Sequence, residues 1–224
     1  MFKTIKLSNL DIKTHRILRE HSNTRPNLWL VEENGINAVV KDYSKNGFFF
    51  RNTIGRFLIW REKKVYKKLK NVKNVPVLYR VIDGLALVLE EIPGATLGKF
   101  DESRKLSENF FQELRDVMKD VHAHGIAHCD LKTASNVILN CEGKPYVVDW
   151  AASISSREFR FYPFNLIYRR FIEDDLLAII KLQLRHSPES VIPEDRRRYD
   201  YQNRLEKSVR AIRNRLRVIL KRIV

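Results

Sequence analysis

The residues able to do chemistry are concentrated in one stretch, HGIAHCDLKTASNVILNCEGKPYVVDWAAS, from His124 to Ser153. Asn136 to Asn140 and Tyr146 to Trp150 are runs of β-type residues joined by Cys141-Glu142-Gly143-Lys144-Pro145, so the segment reads as a hairpin. A symmetric turn centred on Glu142 and Gly143 would set Asn136 directly opposite Asp149, with the two side chains roughly 5 Å apart on one face. Two hard oxygen donors facing one point suit Mg²⁺, which takes one or two protein ligands and fills its shell with phosphate oxygens. Asp130, in the loop before the hairpin, approaches the same point. A carboxylate there can accept a hydroxyl proton during phosphoryl transfer.

Other elements must hold this stretch in place. LWLVEENGINAVVKDY, residues 28–43, reads as two short strands about Asn34-Gly35, which supply the positive φ angles of a tight hairpin turn. Lys41 falls at the end of the second strand. Between Thr53 and Lys70, the spacing of Leu58, Val65 and Leu69 predicts a helix with one apolar face. Glu62 sits on that face, where an unpaired carboxylate is costly and a cation is expected, and Lys41 is the nearest candidate upstream. Pro76 to Arg80 and Leu85 to Glu91 read as strands joined at Asp83-Gly84 and ended by Pro93-Gly94. A helix from about Ser107 to His124 follows, with Phe110, Phe111, Leu114, Val117 or Met118, and Val121 inward and Gly125 as terminator. The shift from strands to helices near 92–96 divides the chain into an N-terminal unit, 1–92, and a C-terminal unit, 93–202. Residues 203–224 read as a basic amphipathic helix, with Leu205, Val209, Ile212 and Leu216 on one face. That helix either lies on an anionic membrane surface or packs its apolar stripe on the protein, and the aromatic and basic run FYPFNLIYRRF, 161–171, carries the same two readings.

With 224 residues, 44% of them hydrophobic, the chain can bury a substantial core. Its formal net charge of +15 favours anionic partners: nucleotide phosphates, nucleic acid or anionic headgroups. Cys129 and Cys141 cannot build a disulfide framework and lack zinc-site spacing, so a reducing compartment is expected. His124 and His128 have i, i+4 spacing, but Gly125 should end the helix between them. The N-terminus has no apolar run of signal-peptide length, and no run approaches the ~18 residues of a membrane span. A cytoplasmic location is expected, or a peripheral one on the inner face of the membrane.

The order Lys41, Glu62, His128-Cys129-Asp130-Leu131-Lys132, Asn136 and Asp149-Trp150-Ala151 resembles the protein-kinase-like superfamily, especially its compact bacterial, RIO-like and lipopolysaccharide-core sugar kinase branches. The likeness covers roughly residues 28–180. It implies an α+β, two-lobed fold, with a small β-rich N-lobe carrying one helix and a mainly helical C-lobe, and ATP with Mg²⁺ bound between them. On that resemblance Lys41 holds the α- and β-phosphates with Glu62 as its partner, Asp130 is the catalytic carboxylate, and Asn136 and Asp149 are the metal ligands. Lys132 corresponds to a lysine that steadies the transferred phosphate, backbone groups of Glu90 and Ile92 to the adenine-binding hinge, and Asp175 to a buried brace beneath the catalytic loop.

The sequence departs from the usual pattern in several places. One extra residue lies between Lys132 and Asn136, with Ser135 as the alternative at the metal position. The glycine-rich phosphate loop is absent, since residues 23–36 contain only Gly35. Cys129 replaces the arginine that reads a phosphorylated activation loop, and Trp150-Ala151 replace Phe-Gly. The expected activity is transfer of the γ-phosphate to a hydroxyl. The basic surface and the short stretch after Asp149 point to a lipopolysaccharide-core sugar, and Lys132 in Asp-Leu-Lys to a protein serine or threonine. A pseudokinase or nucleotide-sensing scaffold is the non-enzymatic alternative. A nucleic-acid-binding protein would leave the ordered set unexplained.

Overall fold

Asn34 and Gly35 take left-handed backbone angles, φ 57° and 75°, and close the turn between β2 (Asn27–Glu33) and β3 (Ile36–Asp42). The two strands pair without a slip from Asn27↔Asp42 to Glu33↔Ile36. With β1 (Thr14–Arg19), β4 (Leu78–Ile82) and β5 (Ala86–Glu90) they form a five-stranded antiparallel sheet in the order β1-β2-β3-β5-β4. The computed structural model describes residues 1–100 and 105–202. The basic helix expected over 203–224 lies outside the described residues.

The sheet is covered on both faces. On one, Phe2, Ile5 and Leu10 of the N-terminal arm bury themselves against Trp29, Val31, Ala38, Val40 and Val88. Nothing in the apolar spacing of that arm announced this role. On the other face, Leu87 and Leu89 join a larger core with Ile59, Val65 and Leu69, and with Phe110, Phe111 and Leu114. Lys41 pairs in register with Leu87, so strand alternation places it on this inner face.

The expected helix near 53–70 begins earlier. One helical turn, Phe48–Phe50, runs into a wide turn, Arg51–Gly55, and then into α1, Arg56–Lys68. Its buried side chains are Ile59, Glu62, Val65 and Tyr66, whereas Leu58 is only half-buried. The inward stripe is thus one residue out of the phase expected at its start. α2 (Glu108–Ala123) is N-capped by Ser107, whose Oγ accepts from Phe110 N, and the predicted inward residues are buried, Val117 and Met118 both among them. Gly125, at φ 69°, ends it, so His124 and His128 do not share a helical turn.

β6 (Gly94–Thr96), where only a breaker was expected, pairs with β8 (Val137–Asn140), which pairs with β9 (Pro145–Val147). A two-residue strand, β7 (Ile126–Ala127), pairs with β10 (Ile154–Ser155). α3 (Phe164–His186) then runs beneath the loop between β7 and β8.

The register of the β8/β9 hairpin differs from the symmetric expectation. Gly143 adopts φ 81°, and Asn140 N–H bonds Lys144 O at 3.0 Å, closing a loop of three residues, Cys141 to Gly143. That loop pairs Val137 with Val147 and Ile138 with Tyr146, one position away from the predicted pairing. Asn136 therefore lies opposite Val148, whose N–H bonds its carbonyl at 2.9 Å, and Asp149 falls one residue past the ladder. A three-residue loop needs one residue at positive φ, and glycine supplies it at little cost.

Candidate active site

The buried carboxylate of Glu62 has the partner its position required. Lys41 Nζ lies 2.9 Å from Glu62 Oε2 and 3.1 Å from Oε1, with the two side chains 5% and 0% exposed. The same ammonium donates to Asp149 Oδ1 at 2.7 Å. One lysine thus ties the sheet, α1 and the segment after β9 together. Burial alone would depress the Lys41 ammonium, but the Glu62 and Asp149 carboxylates override it and hold it above the ordinary lysine value. Burial pushes the Glu62 carboxyl up, and Lys41 offsets part of that. Burial also acts upward on Asp149, where Lys41 prevails and keeps the carboxyl below its usual range.

A second group of contacts surrounds Asp130. Its Oδ1 accepts from Thr133 Oγ1 at 2.8 Å, and its Oδ2 from Asn136 Nδ2 at 3.1 Å. Asn136 Nδ2 also donates to Asp130 O at 3.0 Å, across six positions of chain. The extra residue is absorbed by two successive turns, Thr133 N–H to Asp130 O and Asn136 N–H to Thr133 O, the second within a short 3₁₀ segment, Ala134–Asn136. Thr133 was missed from sequence. Its place three residues after an aspartate, where a hydroxyl reaches back across a turn, was the available signal.

His128 and Val148 join the two groups. The fully buried His128 ring lies 4.7 Å from Trp150 and contacts Val148 O through Nε2 at 3.0 Å, while Nδ1 accepts from Asp130 N–H at 3.3 Å. Those partners assign the neutral Nε2–H tautomer. Val148 N–H in turn bonds Asn136 O. Cys129 and Asp149 are both left-handed, φ 66° and 64°, a conformation that non-glycine residues keep only where surrounding contacts enforce it.

Asp175 on α3 supplies the enforcement at Cys129. At 1% exposure, its Oδ2 accepts from His128 N–H at 2.7 Å and faces His122 Nε2 at 3.1 Å, and its Oδ1 accepts from Cys129 N–H at 3.0 Å. Lys132 stands apart from these contacts, exposed, at the edge of a cavity of about 430 Å³ that Phe171, Lys181 and Tyr199 also line. Glu90 has its N–H and its carboxylate engaged: the N–H bonds Val77 O at 2.8 Å and the carboxylate takes Val77 N–H at 2.9 Å. Its carbonyl and the half-buried Ile92 are what remain for a base edge.

The donor set fits a hard cation. Asn136 spends its amide nitrogen on Asp130, which leaves Oδ1 available to a cation, and the Asp149 side chain keeps 39% of its surface exposed. A five-stranded sheet carrying a lysine paired to a helix carboxylate, above a helical unit whose buried aspartate braces an aspartate-bearing loop, is a protein-kinase-like fold. Residues 39–189 match the model of the RIO domain, and the chain belongs to that family of atypical, ATP-using protein kinases and ATPases within the protein-kinase-like superfamily. A comparison with curated proteins finds no match. No helix among the described residues is long and apolar enough to cross a membrane.

Proposed function

We propose that the chain is a Mg²⁺-dependent phosphotransferase that moves the γ-phosphate of ATP to a hydroxyl. The observation that carries this reading is Lys41, bonded at once to Glu62 and Asp149, which fixes a cation beside the carboxylate expected to hold the metal. Lys41 would neutralise the α- and β-phosphates, and Asn136 Oδ1 with Asp149 would hold Mg²⁺. When bound there, the cation supplies charge neutralisation between phosphate oxygens. Asp130, steadied by Thr133 and Asn136, orients the incoming hydroxyl and accepts its proton as the new oxygen–phosphorus bond forms and the bridge to ADP breaks. Glu90 O and Ile92 N–H would meet the adenine edge.

The glycine-rich cover has a substitute at the same point of the sheet, the turn between β1 and β2. There the buried Asn46 donates to Ser22 O at 2.7 Å and to Arg25 O at 3.1 Å, gathering the turn's carbonyls to one side. Arg25 and the amides of Asn23 and Thr24 are the cover we assign to the phosphates, since those of His21 and Ser22 are taken by Asn27 Oδ1 and Arg25 O.

For the acceptor, we favour a sugar hydroxyl of a lipid-linked, lipopolysaccharide-core type. The net charge of +15 supports it, and so does the cavity next to Asp130 in the chain, which Lys132, Lys181 and an aromatic wall line and which would hold the part of the acceptor remote from the reacting hydroxyl, since Asp130, Asn136 and Asp149 are not in its lining. Lys132 in Asp-Leu-Lys and the family's protein kinases favour a protein hydroxyl as the second reading. Labelled ATP incubated with the protein, with protein extracts and with lipopolysaccharide fractions separates the two by where the label appears. Asp149→Ala is expected to abolish ATP turnover while circular dichroism and thermal midpoint stay near wild type, and retained turnover would sink the metal assignment.

A further inference from the structure

The side of α1 that faces away from Glu62 is aromatic and uncovered. Phe49, Phe57 and Trp60 are 84%, 52% and 50% exposed. Phe57 and Trp60 stack with ring centroids 5.9 Å apart, Lys64 Nζ sits 3.7 Å over the Trp60 ring, and the Arg61 guanidinium lies 5.8 Å from the Phe57 ring. The wide turn at Arg51–Gly55 keeps this face continuous. Arg56 N–H bonds Arg51 O, one residue further back than in an α-helix, so the turn takes up one extra residue. At ~100° per residue, Phe49 then falls within about 20° of Phe57, and Phe49, Phe57, Trp60, Arg61 and Lys64 share a sector of roughly 100°. Glu62 lies about 140° from Phe57, on the catalytic side.

Arg61 also carries the face onto the neighbouring segment. Its guanidinium donates to Ser153 O at 2.7 Å and to Glu158 Oε2 at 3.4 Å. A few residues on, Phe161 and Tyr162 are 75% and 78% exposed, flanked in sequence by the exposed Arg157, Arg160, Arg169 and Arg170, the last paired with Asp174 at 3.1 Å. We propose that this aromatic and basic face docks the protein on an anionic lipid surface.

Two observations select lipid over a protein partner. The rings are interleaved with lysine and arginine, which the centres of protein interfaces deplete in the case of lysine and which membrane-surface helices concentrate beside Trp and Phe. The whole chain carries +15, which complements an anionic bilayer. Docking places the rings at the headgroup level, with the cations reaching lipid phosphates. It does not depend on the phosphotransfer reading, since neither Asp130 nor Asp149 takes part.

The test uses the full chain and vesicles of phosphatidylcholine, alone or with 30 mol% phosphatidylglycerol. Of the three tryptophans, Trp29 and Trp150 are buried, so a change of emission on binding reports Trp60. The expected result is co-sedimentation with the anionic vesicles and a blue shift of emission that Trp60→Phe removes. Phe49→Asp with Phe57→Asp, both on exposed positions, should weaken partitioning roughly tenfold or more, since two rings lose their apolar contact with lipid. Vesicle binding that leaves Trp60 emission unchanged, or that survives the double substitution, overturns the proposal. A blue shift that grows with protein concentration in the absence of vesicles would make the face a contact between copies of the chain instead.

Discussion

Lys41 is held by two carboxylates of unlike situation, Glu62 fully buried and Asp149 at the rim. Removing the cation leaves Glu62 buried without a counter-charge, so Lys41→Met should cost about 3–5 kcal/mol in denaturant unfolding at pH 7. The pH dependence follows from the direction of the shift. The folded-state pKa of Lys41 is raised, so folding binds its proton, and the stabilisation is fully present below the ordinary value of 10.5 and lost as pH rises through the folded value. The gap in thermal midpoint between wild type and Lys41→Met should therefore be constant from pH 7 to 10 and narrow above about 10.5. A gap that narrows below pH 9 would contradict the ion pair. Thr133 acts at the same scale: it gives Asp130 a hydrogen bond to a charged oxygen, worth roughly 1.5–3 kcal/mol. Thr133→Ala should lower kcat by about ten- to a hundredfold with little change in KM for ATP, and Thr133→Ser should restore most of it.

At the scale of elements, two glycines make opposite demands. A Cβ at Gly143 meets nothing within 4 Å, so Gly143→Ala costs only the φ of 81°, about 1–2 kcal/mol. At Gly94 a Cβ would stand 2.2 Å from Leu139 O, where backbone faces backbone in the β6/β8 pair. Gly94→Ala should cost more, about 2–4 kcal/mol by forcing the strands apart, and should also weaken ATP binding, because the proposed hinge at Glu90 and Ile92 leads directly into β6. Equal losses at the two positions, read by chemical denaturation, would contradict this contrast.

The elements also show which features of the fold a sequence can carry. Glu62 was legible because a carboxylate on an apolar stripe demands a cation, and the turns at Asn34-Gly35 and Asp83-Gly84 because their residues suit positive φ. The register at Asn136 was not, because loops of two, three and four residues share their glycine preference, and one residue at positive φ changes every pairing beyond it. The N-terminal arm escaped for another reason: Phe2, Ile5 and Leu10 follow neither a 3.6- nor a 2-residue period, and only the uncovered face of the sheet gives them a place. The contacts about Asp130 lie between. Its type and neighbours marked it, but Thr133 gains its part only once the chain turns back on itself.

For the whole molecule, a nucleotide that bridges the sheet and the helical unit must stabilise both. At one hundred times its dissociation constant a ligand adds about 2.7 kcal/mol, and a chain of this size gains roughly 2–4 °C per kcal/mol. MgATP at that excess should raise the thermal midpoint by about 5–10 °C, with the metal-dependent part missing in Asp149→Ala. The same shift in wild type without phosphate transfer to any acceptor would identify a nucleotide-sensing scaffold rather than an enzyme.

Cys129 stands next to Asp130 in the chain, with its thiol turned to Ala127 O and its pKa pushed up to about 12, first by burial and then by Asp175. At pH 7 such a thiol is ionised in on the order of one molecule in 10⁵. A cysteine beside the proposed catalytic aspartate would ordinarily make a loop vulnerable to peroxide and to electrophiles, but a thiol held this far toward its protonated form is expected to react slowly, and Cys141, exposed on the hairpin loop, is the thiol that meets them first. Burial of the thiol, reinforced by the Asp175 carboxylate that braces the loop, therefore keeps its reactive thiolate form scarce.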